Sequence, residues 1–420
     1  MKKMVLFIFI SLCLGAAFVP DKKDNKFFQD NFSFASVQLK KLLVEANKYD
    51  TLFPRTTDEK GNLKLTDKYE WTSGFFPGSL WYTYQATKDN LFKNEAIKWT
   101  EKLESLQNFT EHHDLGFMMY CSYGNAFRLT GNEKYKDILV QSAKSLSKRY
   151  SAKTGCIKSW NSFGSWDGNK NYSFPVIIDN MMNLELLFFA SRTTGDPYYR
   201  NIATKHALNV MKNQIRPDYS CYHVVCYDST TGEVLTKETA QGYANNSTWA
   251  RGQAWGIYGF TMTYRETRDE RFLITARRMA DYFIDNKELP ADKIPYWDFN
   301  ANDLGYIPSS NSHAPETPAK YRDASAAAVV ASALLELSTF LGKDGAKYRN
   351  AAVTILHSLS SPIYRAKVGE NADFMIKHCV GSIAHKTEID VPLVYADYYF
   401  LEALNRYKMM GGEKNVATGL

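Results

Sequence analysis

Five times along the chain the same phrase returns: "YQATKDNLFKNEAIKWTEKL" from Tyr84, "RLTGNEKYKDILVQSAKSL" from Arg128, "RTTGDPYYRNIATKHALNV" from Arg192, "RETRDERFLITARRMADYF" from Arg265 and "FLGKDGAKYRNAAVTILHSL" from Phe340. Each holds the end of an apolar helix, a short polar turn, and the start of an amphipathic helix with aromatic and alanine positions at helical spacing. A chain built this way is a series of helical hairpins. Closing partners stand at both ends, "FASVQLKKLLVEANKYD" before the first phrase and "DVPLVYADYYFLEALNRY" after the last, giving six helices that precede a turn or close the chain and six that alternate with them.

The preceding set carries few charges and is rich in Gly, Ala, Phe and Tyr, as in "TSGFFPGSLWYTYQAT", "RGQAWGIYGFTMTYRET" and "ASAAAVVASALLELSTF". Helices apolar all round are buried, whereas the alternating set is polar on one face. The expected fold is therefore all-α: an (α/α)6 toroid of six helical hairpins with an inner and an outer ring. A linear solenoid of helix pairs is the structural competitor, but unequal repeats and long insertions favour the closed form. Insertions at 151–175, 215–248 and 287–321 point to a site built on one rim.

The turn serves as a ruler. From Thr87, Thr130, Thr194 and Thr267, a step back of 15 or 16 residues lands on Trp71, Asp114, Asp179 and Arg251, each where an inner helix should begin. At about 1.5 Å per residue these four lie at one height, some 23 Å from the turns, and so on one rim. Helix capping accounts for an Asp at such a place, but not for a Trp and an Arg at matching positions. Aromatic surfaces, carboxylates and an arginine in a helical cup suit a sugar acid: rings for the apolar sugar face, a cation for its carboxylate, acids for proton transfer. Two neighbouring carboxyls do not both ionise easily, so one keeps its proton to higher pH. Spacing leaves open which one does. It also leaves open an inverting hydrolase, a lyase and an epimerase.

Composition narrows the class. At 420 residues, 45% hydrophobic and 14% aromatic, the chain can bury a large core. The start "MKKMVLFIFISLCLGAAFVPDKK" has two lysines, an apolar run and then Gly15, Ala16 and Ala17, the layout of a cleavable secretory signal. The run is too short for a comfortable spanning helix. The expected organisation is a signal peptide over 1–17, a linker over 18–33, a single catalytic domain over 34–408 and a tail over 409–420, in an exported, periplasmic protein. A lipid anchor at Cys13 is the lesser alternative, because Leu12 fits poorly before it. The five remaining cysteines, Cys121, Cys156, Cys221, Cys226 and Cys379, form no CxxC pair, which argues against a metal cluster or a disulfide framework. A single Cys221–Cys226 bridge stays open. The formal charge is +6, roughly +4 once Lys2 and Lys3 are removed. No basic block of the kind that tracks phosphates is present, so nucleic acid is not an expected partner, and no basic amphipathic stretch suggests membrane attachment after signal cleavage.

The phrases "YEWTSGFFPGSLWY", "HHDLGFMMYCSYGNAFRLTG", "FPVIIDNMMNLELLFFAS", "YHVVCYD", "AQGYANNSTWARGQAWGIYGF", "YRDASAAAVVASALLELS" and "EIDVPLVYADYYFLEAL" resemble, in order and over nearly all of the chain after the signal, the unsaturated glucuronyl hydrolases of glycoside hydrolase family 88. The resemblance implies an (α/α)6 barrel that removes the 4,5-unsaturated uronic acid from the non-reducing end of oligosaccharides, with no metal or organic cofactor. It implies that Asp179 is the general acid and base and that Asp114 assists and holds the substrate. The other sugar contacts it implies are Trp71, His223, Gln241, Arg251 and Trp255, with Trp71 and Trp255 as stacking surfaces. For each a plainer reading stands beside it: core rings for the two tryptophans, a satisfied buried imidazole for His223, and loop fixing or acid pairing for Gln241 and Arg251.

The stretch "HCVGSIAHKTEID", 378–390, keeps the family's frame with loop residues of its own, and Ser382, His385 and Lys386 are candidates to touch the leaving sugar or a sulfate. Glycosaminoglycan disaccharides from chondroitin, hyaluronan or heparin are the expected substrates. The alternatives are an unsaturated rhamnogalacturonyl hydrolase, a non-catalytic sugar-binding protein on the same toroid, and a helical scaffold for protein partners.

Overall fold

The computed structural model describes residues 22–168, 170–317 and 320–411. The inner ring consists of Phe75–Thr87, a composite helix over 115–130, Leu184–Thr194 with its 3-10 lead-in Ile178–Asn183, Ala250–Thr267, Ala324–Phe340 and Val394–Gly411. The outer ring alternates with it as Lys22–Ala46, Asn90–Glu101, Glu133–Ser147, Pro197–Asn213, Glu270–Ile284 and Gly345–Leu359. Successive inner helices pack side by side, and Val394–Gly411 packs back onto Phe75–Thr87. That last contact closes the ring, so the fold is the (α/α)6 toroid and not the solenoid. Glu402 ties the ring across its axis, accepting from Tyr82 Oη at 2.9 Å, Tyr258 Oη at 3.0 Å and Ser332 Oγ at 2.6 Å.

The repeated phrase is a repeated turn. At Thr87, Thr130, Thr194 and Thr267 the hydroxyl accepts the backbone N–H two residues on. The residue between, Lys88, Gly131, Gly195 or Arg268, takes positive φ and ends the helix. The next residue, Asp89, Asn132, Asp196 or Asp269, caps the following helix through its side chain. One three-residue device thus stops an inner helix and starts an outer one four times. The fifth turn differs, passing through Gly342–Asp344 with no side-chain cap.

Two boundaries depart from expectation. Residues 22–33 are helical rather than a linker, because Phe28 and Phe32 are buried and the Phe28 ring lies 5.2 Å from that of Tyr407. The last inner helix runs to Gly411, so the tail cannot begin at 409. The signal segment 1–17 and Cys13 lie outside the described residues.

The described strands are confined to the connections. Phe53–Thr57 pairs with Leu63–Thr66, Cys379–Ser382 with Thr387–Val391, and Pro175–Ile177, Val224–Tyr227 and Val234–Glu238 form a three-stranded antiparallel sheet. In that sheet Ile177 pairs with Val224 and Val224 with Glu238, which brings the approach to Asp179, His223 and the approach to Gln241 side by side. All five described cysteines are buried free thiols. Cys226 packs with Phe163 and Val224 in a small cluster outside the main core, where Cys221 sits, and this separation keeps the two apart.

Candidate active site

Asp179 is held from behind by glycine. Its 3-10 segment lies against Ala250–Thr267, and a Cβ on Gly259 would stand 2.3 Å from Met181 Cβ, so only glycine lets the segment settle there. Asp114 precedes the inner helix that begins at Leu115, and that helix approaches the same segment at Gly116, where a Cβ would stand 2.4 Å from Asn183 Cα. Neither acid caps its helix through the side chain. The capping account therefore fails for both.

The two carboxyls are pushed in opposite directions. Burial first, and the charge of Asp114 second, push Asp179 up to about 7, against weaker opposition from Arg251 and the Trp255 N–H. Burial would raise Asp114 as well, but His113 and His112 outweigh it and hold Asp114 below the usual carboxylate value. His112 Nδ1 lies 3.2 Å from Asp114 Oδ2 and His113 Nε2 lies 3.3 Å from Oδ1. Near neutral pH the site thus holds one ionised acid and one poised to give or take a proton.

His223 approaches Asp179 from the sheet. Its Nδ1 accepts the backbone N–H groups of Ala240 and Gln241, each at 3.2 Å, so the ring proton resides on Nε2, 3.7 Å from Asp179 Oδ2. Burial and the nearby Arg251 hold the imidazole well below its ordinary pKa, hence neutral. His223 Nε2 and Asp179 Oδ2 are both buried without a hydrogen-bond partner. Gln241 donates from Nε2 to the Gly381 carbonyl at 3.1 Å, joining the sheet to the 379–391 hairpin.

Arg251 and Trp255 are placed differently from expectation. The Arg251 guanidinium is buried, pairs with Asp323 at 3.0 Å, donates to the carbonyls of Val380 and Gly381, and lies 4.4 Å over the Trp249 ring. Its terminal nitrogens are engaged in acid pairing and loop fixing, while its Nε is buried without a hydrogen-bond partner. Trp255 is fully buried, with Phe117 at 5.1 Å and Tyr399 at 5.5 Å between ring centroids. It forms the wall beside Asp179 and not an open platform. Trp71 is half-buried, supported by Phe75, Phe117 and Tyr395, and keeps an open part.

Several neighbours were not singled out from the sequence: His112, His113, Asn183, Trp249, Asp323 and Tyr395. The adjacent "HHD" offered a signal for the two histidines, and Trp249 stands two residues before Arg251. Asp323 and Tyr395 come from distant inner helices and carried none. Around the mouth, Ser382 Oγ and His385 Nδ1 are 2.7 Å apart and the His385 ring lies 4.9 Å from Trp166. Among the described residues no group of His, Cys, Asp or Glu is arranged to hold a metal ion, and no helix is long and apolar enough to cross a membrane.

Against known proteins, residues 46–271 match the family described as Glycosyl Hydrolase Family 88. An unsaturated glucuronyl hydrolase of Formosa agariphila is 42% identical over 97% of this chain and 98% of that protein. The chain belongs to glycoside hydrolase family 88. As a family 88 member it is a glycoside hydrolase, and its toroid is the family's barrel. An unsaturated chondroitin disaccharide hydrolase of Streptococcus agalactiae is 34% identical over 88% of this chain and 89% of that one. A solved unsaturated glucuronyl hydrolase specific for heparin superposes with a TM-score of 0.83 at 44% identity, covering 92% of this chain and 98% of its own.

Proposed function

We propose that this family 88 enzyme removes a 4,5-unsaturated uronic acid from the non-reducing end of glycosaminoglycan oligosaccharides by hydrating the C4=C5 double bond. The observation that carries the reading is the divided pair: Asp179 raised to about 7 beside an Asp114 held low. The substrate is a vinyl ether conjugated to a carboxylate. Protonation of C4 by Asp179 generates an oxocarbenium-like centre at C5 while the glycosidic bond is intact. Water adds at C5 and returns a proton to the same carboxylate, so Asp179 ends as it began. The resulting hemiketal opens to a C5 ketone, and the hemiacetal left at C1 collapses to an aldehyde and releases the adjoining sugar. One water is consumed, and one acid performs both transfers, unlike the paired carboxylates of ordinary glycosidases.

In this reading Asp114 holds substrate hydroxyls, Trp71 supports the apolar sugar face, and the neutral His223 offers its Nε2–H beside Asp179. Gln241 and Arg251 hold the 379–391 hairpin in register with the acids. The turn 382–386 faces the leaving sugar, which makes Ser382, His385 and Lys386 the residues that choose it. The deciding experiment follows the ultraviolet absorbance of the double bond while purified protein, with Asp179→Asn beside it, is given unsaturated disaccharides from chondroitin, hyaluronan, heparin and rhamnogalacturonan. Loss of absorbance on a glycosaminoglycan disaccharide with the parent alone supports the reading. Loss only on the rhamnogalacturonan unit moves the enzyme to pectin fragments, and sugar binding without loss makes it a binding protein. The N-terminal pattern supports export to the periplasm, which fractionation of the cells tests.

A further inference from the structure

One residue of the Asp179 segment reaches the histidine beside the other acid. Asn183 Oδ1 accepts the Phe117 backbone N–H at 2.9 Å, which turns the amide Nδ2 toward His113 Nδ1, 3.4 Å away. An amide NH2 can only donate, so Nδ1 must be the bare nitrogen of the ring and Nε2 must carry the proton. That Nε2 stands 3.3 Å from Asp114 Oδ1, a close electrostatic contact that falls short of an aligned hydrogen bond. The opposite tautomer would set a lone pair against the carboxylate. We propose that Asn183 is a positioning residue that fixes His113 with its proton on Nε2, so that the N–H and not a lone pair faces Asp114 and favours its ionised form. The same segment carries the acid at one end and the residue that sets its partner at the other. The two carboxyls are divided in protonation because they are joined in structure.

One other polar side chain acts on the His113 ring: Asn180, which favours its charged form and whose buried Oδ1 has no hydrogen-bond partner. The His113 ring is fully buried, His112 also lies beside it, and burial lowers it to about 4, so it stays neutral through the working range. Asp114 is faced by His112, His113, Arg149 and Asp179. Arg149 is itself committed to the carbonyls of Thr110, Lys158 and Ser159. Asp179 is faced by Asp114, Arg251, His223 and the Trp255 N–H. Close packing at Gly116 on Asn183 leaves no room for the amide to back away.

This inference rests on the roles given above to Asp114 and Asp179, and its first test does not need turnover. In protein labelled with nitrogen-15 at histidine, with His113 assigned by the His113→Gln variant, two-bond correlations should show the Nε2–H form between about pH 5 and 8, where a free imidazole would titrate. An Nδ1–H form or an imidazolium at neutral pH overturns the proposal, whether or not any disaccharide is turned over. The second test is the pH profile of kcat. In Asn183→Leu and His113→Leu, Asp114 should protonate at higher pH, whereas Asp179, which loses its proton beside an ionised Asp114 in parent and variants alike, should keep its place. The bell then narrows from its acid side, and once the acid limb lies above neutral pH, kcat there falls about tenfold for each further pH unit the limb moves. His113→Gln, whose amide NH2 reaches the place of Nε2, should keep the width of the bell. A parent-like width in both leucine variants, or equal narrowing with glutamine, overturns the proposal. Should Asn183→Leu fail to fold, the two His113 variants and the parent spectrum decide it.

Discussion

His223 Nε2 faces Asp179 Oδ2 at 3.7 Å while its Nδ1 is occupied by the N–H groups of Ala240 and Gln241. The imidazole at once points an unpartnered N–H toward the reacting carboxyl and accepts the bonds that fold the loop bringing Gln241 to the site. His223→Ala should therefore lose on both counts. Leaving buried N–H groups unpaired costs about 1–3 kcal/mol each, so the melting temperature should fall together with kcat/KM. An unchanged melting temperature would show that the loop is held elsewhere.

Asp179→Asn keeps the shape of the side chain and removes the transferable proton. Loss of a general acid and base costs roughly 10²–10⁴ in rate, and here one group does both tasks, so the upper part of that range is expected for kcat with KM little changed. In the parent, the proton needed at C4 is lost as pH rises through about 7, which sets the basic limb of kcat. Asp114→Asn removes the like charge that helps hold Asp179 up, so the residual activity of that variant should have its basic limb moved to lower pH. A limb that stays in place would show that burial alone sets Asp179.

Arg251→Ala should act on stability before it acts on binding. It strips a buried Asp323 of its ion-pair partner and releases the carbonyls of Val380 and Gly381. Breaking one side of a buried pair costs about 3–5 kcal/mol. Denaturant unfolding should show a loss of that order. A variant as stable as the parent but with a greatly raised KM would return Arg251 to the substrate's carboxylate.

Height along the barrel was legible in the sequence, and direction around it was not. The Thr turns fix where each inner helix ends and the rise per residue fixes where it begins, so Trp71, Asp114, Asp179 and Arg251 could be placed on one rim from counting alone. Which way Arg251 and Trp255 point depends on Asp323, Val380 and Tyr399, which are 72, 129 and 144 residues further along the chain. No local pattern carries that. The division of the acids was legible as a need but not as an assignment, because the deciding partner, His113, acts through a tautomer set by Asn183, 70 residues away. The helix over 22–33 was missed although Phe28, Phe32 and Ala35 keep helical spacing, since charge and amide residues dominate "DKKDNKFFQDN".

Gly259→Ala tests how tightly the Asp179 segment must sit. The added methyl would meet Met181 Cβ at 2.3 Å, so the segment has to move, and overpacking of this kind costs about 1–3 kcal/mol. The displacement should lower kcat more than it raises KM, because it moves the proton donor and leaves Trp71 alone. Equal effects on both would place the strain elsewhere.

The raised pKa of Asp179 has a stability cost with a definite pH dependence. An acid that holds its proton to about 7 in the folded protein, against 3.8 as its ordinary value, binds more protons folded than unfolded between those limits. Stability therefore falls as pH rises through that window, by at most about 1.4 kcal/mol per pH unit. Asp179→Asn has no proton to lose. It should be indistinguishable from the parent in denaturant midpoint near pH 4 and more stable above pH 7, by up to about 4 kcal/mol. Asp397, also raised to about 7 by burial, is common to both proteins and cancels in the comparison. A difference that does not change between pH 4 and pH 8 would show that Asp179 titrates normally, and would remove the basis for its role as the proton donor at neutral pH.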